Sequence, residues 1–215
     1  MIRLVDYSKT LRGRCVLDHL NYEFEEGHIY GLYGRNGSGK TMILRAISGL
    51  IHATEGYCEI NGEVVHKDMD FAKDTGIIIE TLSLDPDLSA RKNLEVLAKI
   101  QNKATSKDIE DSLRNVGLDP FDKRHVRAYS LGMKQKLNIA QAIFEQQKIL
   151  LLDEPTNALD NESVEEIYHL LNDLKNEGRL IIIASHIRED LEKYCDTIIH
   201  VENGKMEDLK NEKNI

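Results

Sequence analysis

The chain has 215 residues, of which 41% are hydrophobic and 30% charged, a balance typical of one globular domain. Its formal net charge of -9 disfavours a nucleic-acid partner, because binding a phosphate backbone normally requires clustered Lys and Arg. The three cysteines, Cys15, Cys58 and Cys195, are odd in number, widely spaced and in no CxxC arrangement, which indicates neither a disulfide framework nor a zinc site, so we expect free thiols in a reducing cytosol. No stretch approaches a membrane span and no signal peptide is visible, so any membrane association should depend on another protein.

The first third of the sequence predicts strands around a single helix. The predicted strands are Leu4–Val5, Leu20–Phe24, Ile29–Tyr33, Tyr57–Ile60 and Val64–Val65. The dipeptide Asn61-Gly62 is a hairpin turn signal between the last two. The helix carries its apolar positions between Met42 and Ile47, and Gly49 is its expected end.

Polar helical segments replace the strands in the middle of the chain. Ala90–Gln101 and Lys107–Val116 are the clearest of them, and they predict a helical subdomain at approximately 82–147. Two short aliphatic runs then follow, Ile149–Leu152 and Leu180–Ala184. Because neither run alternates with polar residues, we expect parallel strands that are covered on both faces.

The last third alternates helix and strand. An apolar stripe between Val164 and Leu174 predicts one face of a helix that ends near Gly178. The run Ile198–Val201 and the dipeptide Asn203-Gly204 precede a short polar tail. We see no repeat or long linker, so the sequence predicts a single domain over 1–215.

A complete phosphate-binding motif follows the strand predicted at Ile29–Tyr33. It matches GxxxxGK[ST] and reads Gly34-Arg35-Asn36-Gly37-Ser38-Gly39-Lys40-Thr41. Its glycines allow backbone N–H groups to surround phosphates, and the helix that follows adds the positive end of its dipole. Lys40 supplies a charge for the outer phosphates, and the Thr41 hydroxyl is a candidate Mg²⁺ ligand.

Three further polar residues follow predicted strands. Asp153 comes directly after Ile149–Leu152 and is the candidate second Mg²⁺ ligand. Glu154 is a candidate for the group that accepts a proton from the attacking water or orients it. His186 follows the strand Leu180–Ala184, so it should lie at the same edge of the sheet. We therefore expect Glu154 and His186 to be catalytic.

The segment Tyr129-Ser130-Leu131-Gly132-Met133 lies at the expected start of another helix. Its apolar face continues through Leu137 and Ala140, which makes Ser130 a candidate N-cap beside free backbone N–H groups. Gly132 has no side chain to block a phosphate from the backbone.

In their order and spacing, these motifs resemble the ATP-binding subunit of ABC transporters over residues 1 to about 205. The resemblance implies a P-loop NTPase of the α/β class, with a mainly parallel core sheet flanked by helices, an N-terminal antiparallel β part and the inserted helical subdomain. It implies ATP and Mg²⁺ as cofactors, and a second ATP-binding domain, expected to be an identical copy. Ser130 and Gly132 of one copy would contact the ATP bound to Lys40 of the other. Asn157 to Asp160 would form the D-loop, with Asp160 among the nucleotide-binding residues, and His186 would be the switch histidine.

Some residues differ from the usual family pattern. Leu131 and Met133 replace a glycine and a glutamine of the LSGGQ signature. Met42 replaces a second threonine among the nucleotide-binding residues, which removes a hydroxyl contact. Glu80 falls where the family has a glutamine, and its carboxylate would be a third Mg²⁺ ligand.

The residue that stacks on adenine is not clear from the sequence. Alignment with the family pattern puts Leu11 there, and Tyr7 is the nearest aromatic alternative. Because Leu11 has no ring, we expect weak adenine contacts and an affinity carried mainly by the phosphates.

The variant motifs around Glu80, Asn93 and Ser130 resemble the ATPases of bacitracin-type and lantibiotic-type exporters. The expected function is therefore an ATPase that powers a separately encoded membrane permease, from the cytoplasmic face of the cell membrane. An ABC importer subunit and a non-transport ABC ATPase remain the alternatives. The length leaves no room for the long coiled coil or second fused domain of most non-transport members. A nucleotide-binding regulator without turnover is a further alternative.

Overall fold

The protein is described here by a computed structural model that covers residues 1–79 and 84–209 and contains two β-sheets with helices around the larger one. The strands are β1 Ile2–Leu11, β2 Arg14–Phe24, β3 Ile29–Tyr33, β4 Glu55–Ile60, β5 Glu63–Val64, β6 Thr75–Ile78, β7 Ile149–Asp153, β8 Leu180–Ser185, β9 Thr197–Glu202 and β10 Lys205–Asp208. The helices are α1 Lys40–Ser48, α2 Ala90–Gln101, α3 Ser106–Asn115, α4 Leu131–Ile143, α5 Asn161–Asn176 and α6 Arg188–Tyr194, with a 3-10 turn at Val126–Ala128.

The smaller sheet is antiparallel, in the order β2-β1-β4-β5. Its first two strands are longer than predicted, because they form one hairpin around Arg12-Gly13 and bulge at Asp6 and His19, where φ is 50° and 48°. These bulges interrupt the alternation of apolar and polar residues that marks a strand in a sequence. The predicted hairpin at Asn61-Gly62 is confirmed.

The larger sheet has the order β10-β9-β3-β8-β7-β6, and every neighbouring pair except β10 and β9 is parallel. Its central strands are buried on both faces, as their uninterrupted aliphatic sequences predicted. In β8, Leu180 and Ile182 belong to the core on the side of the antiparallel sheet, whereas Ile181 and Ile183 belong to the core on the other side. Together the two sheets and their helices confirm the predicted α/β class.

Helix α1 packs in the core between the two sheets, and the cores on the two faces of the larger sheet account for most buried side chains. The bounds of α2 agree with the prediction, α3 begins one residue earlier, and α1 ends as expected at Gly49, which has a left-handed backbone. Strands β6 and β10 and helix α6, which are short, were not predicted. In residues 1–79 and 84–209, no helix has the length and apolar character needed to cross a membrane.

The parallel strands place their carboxyl ends along one edge of the larger sheet. The phosphate-binding loop follows β3, Asp153 ends β7, and His186 comes directly after β8. Because β8 lies between β3 and β7, these three chain segments are immediate neighbours. Ligands bind at such edges in open α/β sheets.

Candidate functional site

The phosphate-binding loop joins β3 to α1 in a conformation that requires its glycines. Gly39 precedes α1 with φ 120° and caps it with no side-chain hydrogen bond, so the first N–H groups of α1 are open to a ligand. At Gly34 a Cβ would lie 2.2 Å from the carbonyl oxygen of Val201. The Ser38 hydroxyl oxygen is buried in this loop with no hydrogen-bond partner in the described part of the chain.

Lys40 folds back into its own loop. Its ammonium group donates to the carbonyl oxygens of Gly34 at 2.6 Å and Arg35 at 3.3 Å, and the residue is only 6% exposed. Burial lowers the pKa of Lys40, while the charges of Glu154 and Asp153 oppose that shift. An anion within reach would relieve the cost of keeping this charge out of water.

Thr41 and Asp153 join the loop to β7 by a side-chain hydrogen bond. The Thr41 hydroxyl donates to Asp153 Oδ2 at 2.6 Å. Burial raises the pKa of Asp153, and the nearby Glu154 charge adds to the increase, whereas the Thr41 hydrogen bond and Lys40 lower it. A hydroxyl beside a carboxylate is an oxygen donor set that suits Mg²⁺.

Glu154 lies directly beyond β7 with φ 47°, a left-handed backbone that is uncommon for a residue with a side chain. Its N–H donates to the Ala184 carbonyl at 2.8 Å. On the side chain, Oε1 lies 2.8 Å from His186 Nδ1, and Oε2 accepts from the Ser185 hydroxyl at 3.4 Å. The end of β8 therefore orients both the backbone and the carboxylate of Glu154.

The phosphate-binding loop, Asp153 and Glu154 line a cavity of about 570 Å³, which we call the phosphate cavity. Asn36 to Met42, Asp153 and Glu154 line one part of it, and the start of β2 lines another through Arg14, Cys15 and Val16. His186 joins this set through its contact with Glu154.

The two residues considered for the adenine contact are not in this cavity. Tyr7 is only 2% exposed in the core, where its hydroxyl donates to the Ile51 carbonyl, so its ring cannot meet a ligand. Leu11 lies at the tip of the β1–β2 hairpin and does not line the cavity. Tyr7 is therefore excluded as the adenine contact, whereas Leu11 stays a prediction, on the same hairpin that presents Arg14 to Val16 to this space.

The turn between β9 and β10 also lines the phosphate cavity, a feature that sequence reasoning missed. It consists of Asn203 and Gly204. The Gly204 N–H donates to the Ser38 carbonyl at 2.8 Å, and the Gly204 carbonyl accepts from the Asp18 N–H at 3.0 Å. This turn therefore joins the phosphate-binding loop to β2.

Ser130 and Gly132 lie elsewhere. The Ser130 hydroxyl accepts from the Met133 N–H at 3.1 Å and caps α4, as predicted. Both residues line a second cavity of about 860 Å³, which we call the signature cavity, together with Asp160, the N-cap of α5. The signature and phosphate cavities have no lining residue in common.

The expected site residues thus fall into two groups. The loop, Asp153, Glu154 and His186 lie together, whereas Ser130, Gly132 and Asp160 form the separate group. Glu80, the expected third Mg²⁺ ligand, lies outside the described residues. Gln135 was not recognised from the sequence, because its bonds to the Glu154 and Pro155 carbonyls join segments that are far apart in the chain.

The strand order, the phosphate-binding loop and the carboxylates at the neighbouring strand end together define a P-loop nucleotide-binding protein. Comparison with known proteins specifies it further. The family model described as ABC transporter matches residues 17–157. The chain belongs to this family, as an ATP-binding subunit and an ATPase.

Its relatives include an uncharacterized ABC transporter ATP-binding protein of Bacillus subtilis, YybJ, with 50% identity over 96% of this chain and 95% of that protein. The bacitracin transport ATP-binding protein BcrA of Bacillus licheniformis is 38% identical over 96% of this chain and 68% of its own length. The lantibiotic transport ATP-binding protein SrtF of Streptococcus pyogenes is 36% identical over 96% of this chain and 89% of its own length. Among solved structures, the dimeric cassette MJ0796 has a TM-score of 0.86 and 26% identity over 96% of this chain and 97% of its own.

Proposed function

We propose that this chain is the ATPase of an ABC exporter for a drug, peptide or lantibiotic, and that it works as a pair of identical copies on a separately encoded permease. ATP would close the two copies against each other, and hydrolysis would release them. The difference in ATP affinity between the closed and open states would supply the free energy for transport.

The proposal that two copies pair is supported mainly by the separation of the two cavities. Ser130 and Gly132 lie beside an open helix start, yet they do not line the cavity that contains Lys40. A second copy in a face-to-face pair would bring its Ser130 and Gly132 to the nucleotide held by the first. The solved MJ0796 cassette, which is similar over almost the whole chain, is described as dimeric.

The chain's own residues fit ATP and Mg²⁺. The phosphates would occupy the loop, where the Ser38 hydroxyl has no partner and Lys40 is buried with its charge. Thr41 and Asp153 would hold the metal, which would screen the phosphate charges. Glu80 would be the remaining metal ligand. We propose that Glu154 accepts the proton from the attacking water, and that His186 orients the Glu154 carboxylate through their 2.8 Å contact.

The catalytic part of the proposal is tested by Glu154→Gln, which keeps the shape of the side chain and removes its basicity. We expect ATP binding to persist, hydrolysis to fall at least about 100-fold, and gel filtration with ATP and Mg²⁺ to show a dimer. Lys40→Ala is the companion variant, and titration calorimetry should show its nucleotide affinity abolished. A fully active, monomeric Glu154→Gln protein would contradict both the general-base role and the pairing.

The exporter assignment is supported by relatives named for bacitracin and lantibiotic transport. We propose that the permease docks on the helical subdomain, near Glu80 and across residues 82–128. In the described part of that region, α2 exposes two apolar side chains, Val96 and Ile100, and Ile100 is 76% exposed. An apolar side chain this exposed is a suitable contact for a partner surface.

Affinity purification from solubilised membranes tests the docking. The Glu154→Gln protein, loaded with ATP, should retain a membrane protein with several spans, and Ile100→Glu in that background should lose it without losing ATP binding. Tyr57→Glu is the control, because Tyr57 is 39% exposed in the antiparallel sheet, outside the helical subdomain. Recovery of soluble partners alone would refute the transporter assignment. A solute-binding protein encoded beside the permease would indicate import.

A further inference from the structure

The loop that begins at the proposed general base lies along the first two turns of α4. This loop, Glu154 to Asp160, has left-handed backbones at Glu154 and Ala158, with φ 47° and 66°. Both residues carry a Cβ, so these conformations persist only where the surroundings hold them.

Two residues of α4 supply those surroundings. At Gly132 a Cβ would lie 3.0 Å from the Ala158 carbonyl oxygen, so the loop backbone packs directly against this glycine. One turn further along, the Gln135 amide donates to the carbonyl oxygens of Pro155 at 2.8 Å and Glu154 at 3.3 Å. Residues three apart lie on the same face of a helix, so one face of α4 contacts both ends of the strained loop.

Gln135 is itself held in place. Its side-chain oxygen accepts from Asn138, which is buried in α4. The donor nitrogen is thereby aimed at the carbonyls beyond β7, while Ala184, Ser185 and His186 at the end of β8 contact Glu154 as well.

We infer that Gln135 is a positioning residue for Glu154, and that it makes the position of the base depend on the helix that carries Ser130 and Gly132. A nucleotide that pulls on the start of α4 from the partner copy would shift the Glu154 carbonyl through Gln135. Hydrolysis would then respond to closure of the pair, since the contact to the partner's phosphate and the contact to the base lie on successive turns of one rigid helix. This inference rests on the proposed general-base role of Glu154.

The test replaces Gln135 with Met, which has a similar shape but cannot donate a hydrogen bond. Gln141→Met is the matched control, because Gln141 is on the same helix and its side-chain oxygen has no hydrogen-bond partner in the described part of the chain. Gln135→Glu is a second variant, which puts an acceptor against two carbonyl oxygens. We expect kcat to fall about 10- to 100-fold in both Gln135 variants, because an error of about 1 Å at a reacting group costs that much. The Kd for ATP should stay within about twofold of the control value, and the melting temperature within a few degrees of it.

A third measurement separates positioning from a general effect on α4. In the Glu154→Gln background, Gln135→Met should still form the ATP-bound dimer, since Ser130 and Gly132 are unchanged. A kcat equal to that of Gln141→Met would overturn the inference, as would loss of the dimer together with kcat. The single Glu154→Gln variant reports on the proposed function independently: if it is fully active, the base is another residue, whatever Gln135 does.

Discussion

The turn at Asn203-Gly204 allows a quantitative test, because the chain contains the same dipeptide in another hairpin. Asn61-Gly62 joins β4 to β5 and Asn203-Gly204 joins β9 to β10, and both turns have left-handed backbones at the asparagine and at the glycine. The φ of Gly62 is 86° and that of Gly204 is 76°. Alanine is therefore strained to a similar degree at either position.

The two sites differ in the space around a new Cβ. At Gly62 no heavy atom of the described residues, apart from the chain neighbours of the glycine, would lie within 4 Å of a new Cβ. At Gly204 the Cβ would lie 2.5 Å from the carbonyl oxygen of Val16 and 3.1 Å from the Leu17 Cα. These are backbone atoms of a paired strand and cannot move individually. We expect Gly62→Ala to cost about 1–2 kcal/mol for the left-handed conformation alone. Gly204→Ala should cost roughly 1–3 kcal/mol more, as overpacking does.

Thermal unfolding of the two variants measures this difference. For a chain of this size, 1–3 kcal/mol corresponds to a melting temperature lower by roughly 2–12 °C in Gly204→Ala than in Gly62→Ala. ATP binding should separate them as well. The Gly204 N–H fixes the Ser38 carbonyl, and a displaced turn should raise the Kd about fivefold or more, the equivalent of one net hydrogen bond. Equal melting temperatures and equal Kd values would refute the reasoning.

The remaining predictions concern the metal ligand, the thiols and the helix cap. Asp153→Asn should raise the melting temperature of the nucleotide-free protein at pH 7, because burial raises the pKa of Asp153 and its ionisation therefore opposes folding. Below about pH 3.8 the gain in melting temperature should disappear. A gain that is independent of pH would contradict this cause. A thiol reagent at pH 8 should label Cys15 alone, and ATP should protect Cys15 from the reagent. The other two thiols should not react, because burial raises the pKa of Cys58 to about 12 and raises that of Cys195 as well. Detection of two or three labelled thiols by mass spectrometry would contradict the assignment. Ser130→Ala should cost about 1 kcal/mol in urea unfolding with unchanged ATP affinity of the monomer, and a weaker monomer affinity would place Ser130 in the phosphate cavity.

The strands that carry the site were predictable from the sequence for a physical reason. Strands β7 and β8 are covered on both faces, so nearly every residue in them must be aliphatic, and such runs stand out in a polar sequence. Strands β1 and β2 were recognised only in part, since the bulges at Asp6 and His19 shift the face to which each following side chain points. A pattern that depends on strict alternation does not detect a strand that bulges.

The site could be predicted where its residues are adjacent in the chain or follow a strand directly. Asp153 and Glu154 were found in this way, because the end of a parallel strand fixes where the next residue lies. Gln135 and Gly204 make hydrogen bonds between segments far apart in sequence, and no local pattern predicts these contacts. Tyr7, the nearest aromatic alternative for the adenine contact, is excluded because the register of β1 turns its ring into the core.

The exposed side chain of Leu131 indicates a contact between the two copies of the proposed pair. From the sequence, it suggested only that the backbone before Gly132 has no need of the freedom of glycine, and α4 does begin there with φ outside the left-handed region. Its side chain is 74% exposed and lines the signature cavity beside Gly132, on the surface that the proposed pair would cover. Full burial of a leucine contributes about 1.5–3 kcal/mol. In the proposed pair, two such side chains, one from each copy, would offset the loss of the glutamine amide replaced by Met133. The variant signature would then exchange hydrogen bonds to the nucleotide for apolar contact between the copies. Closure of this pair should therefore depend less on polar contacts to ATP than in a protein with the usual signature.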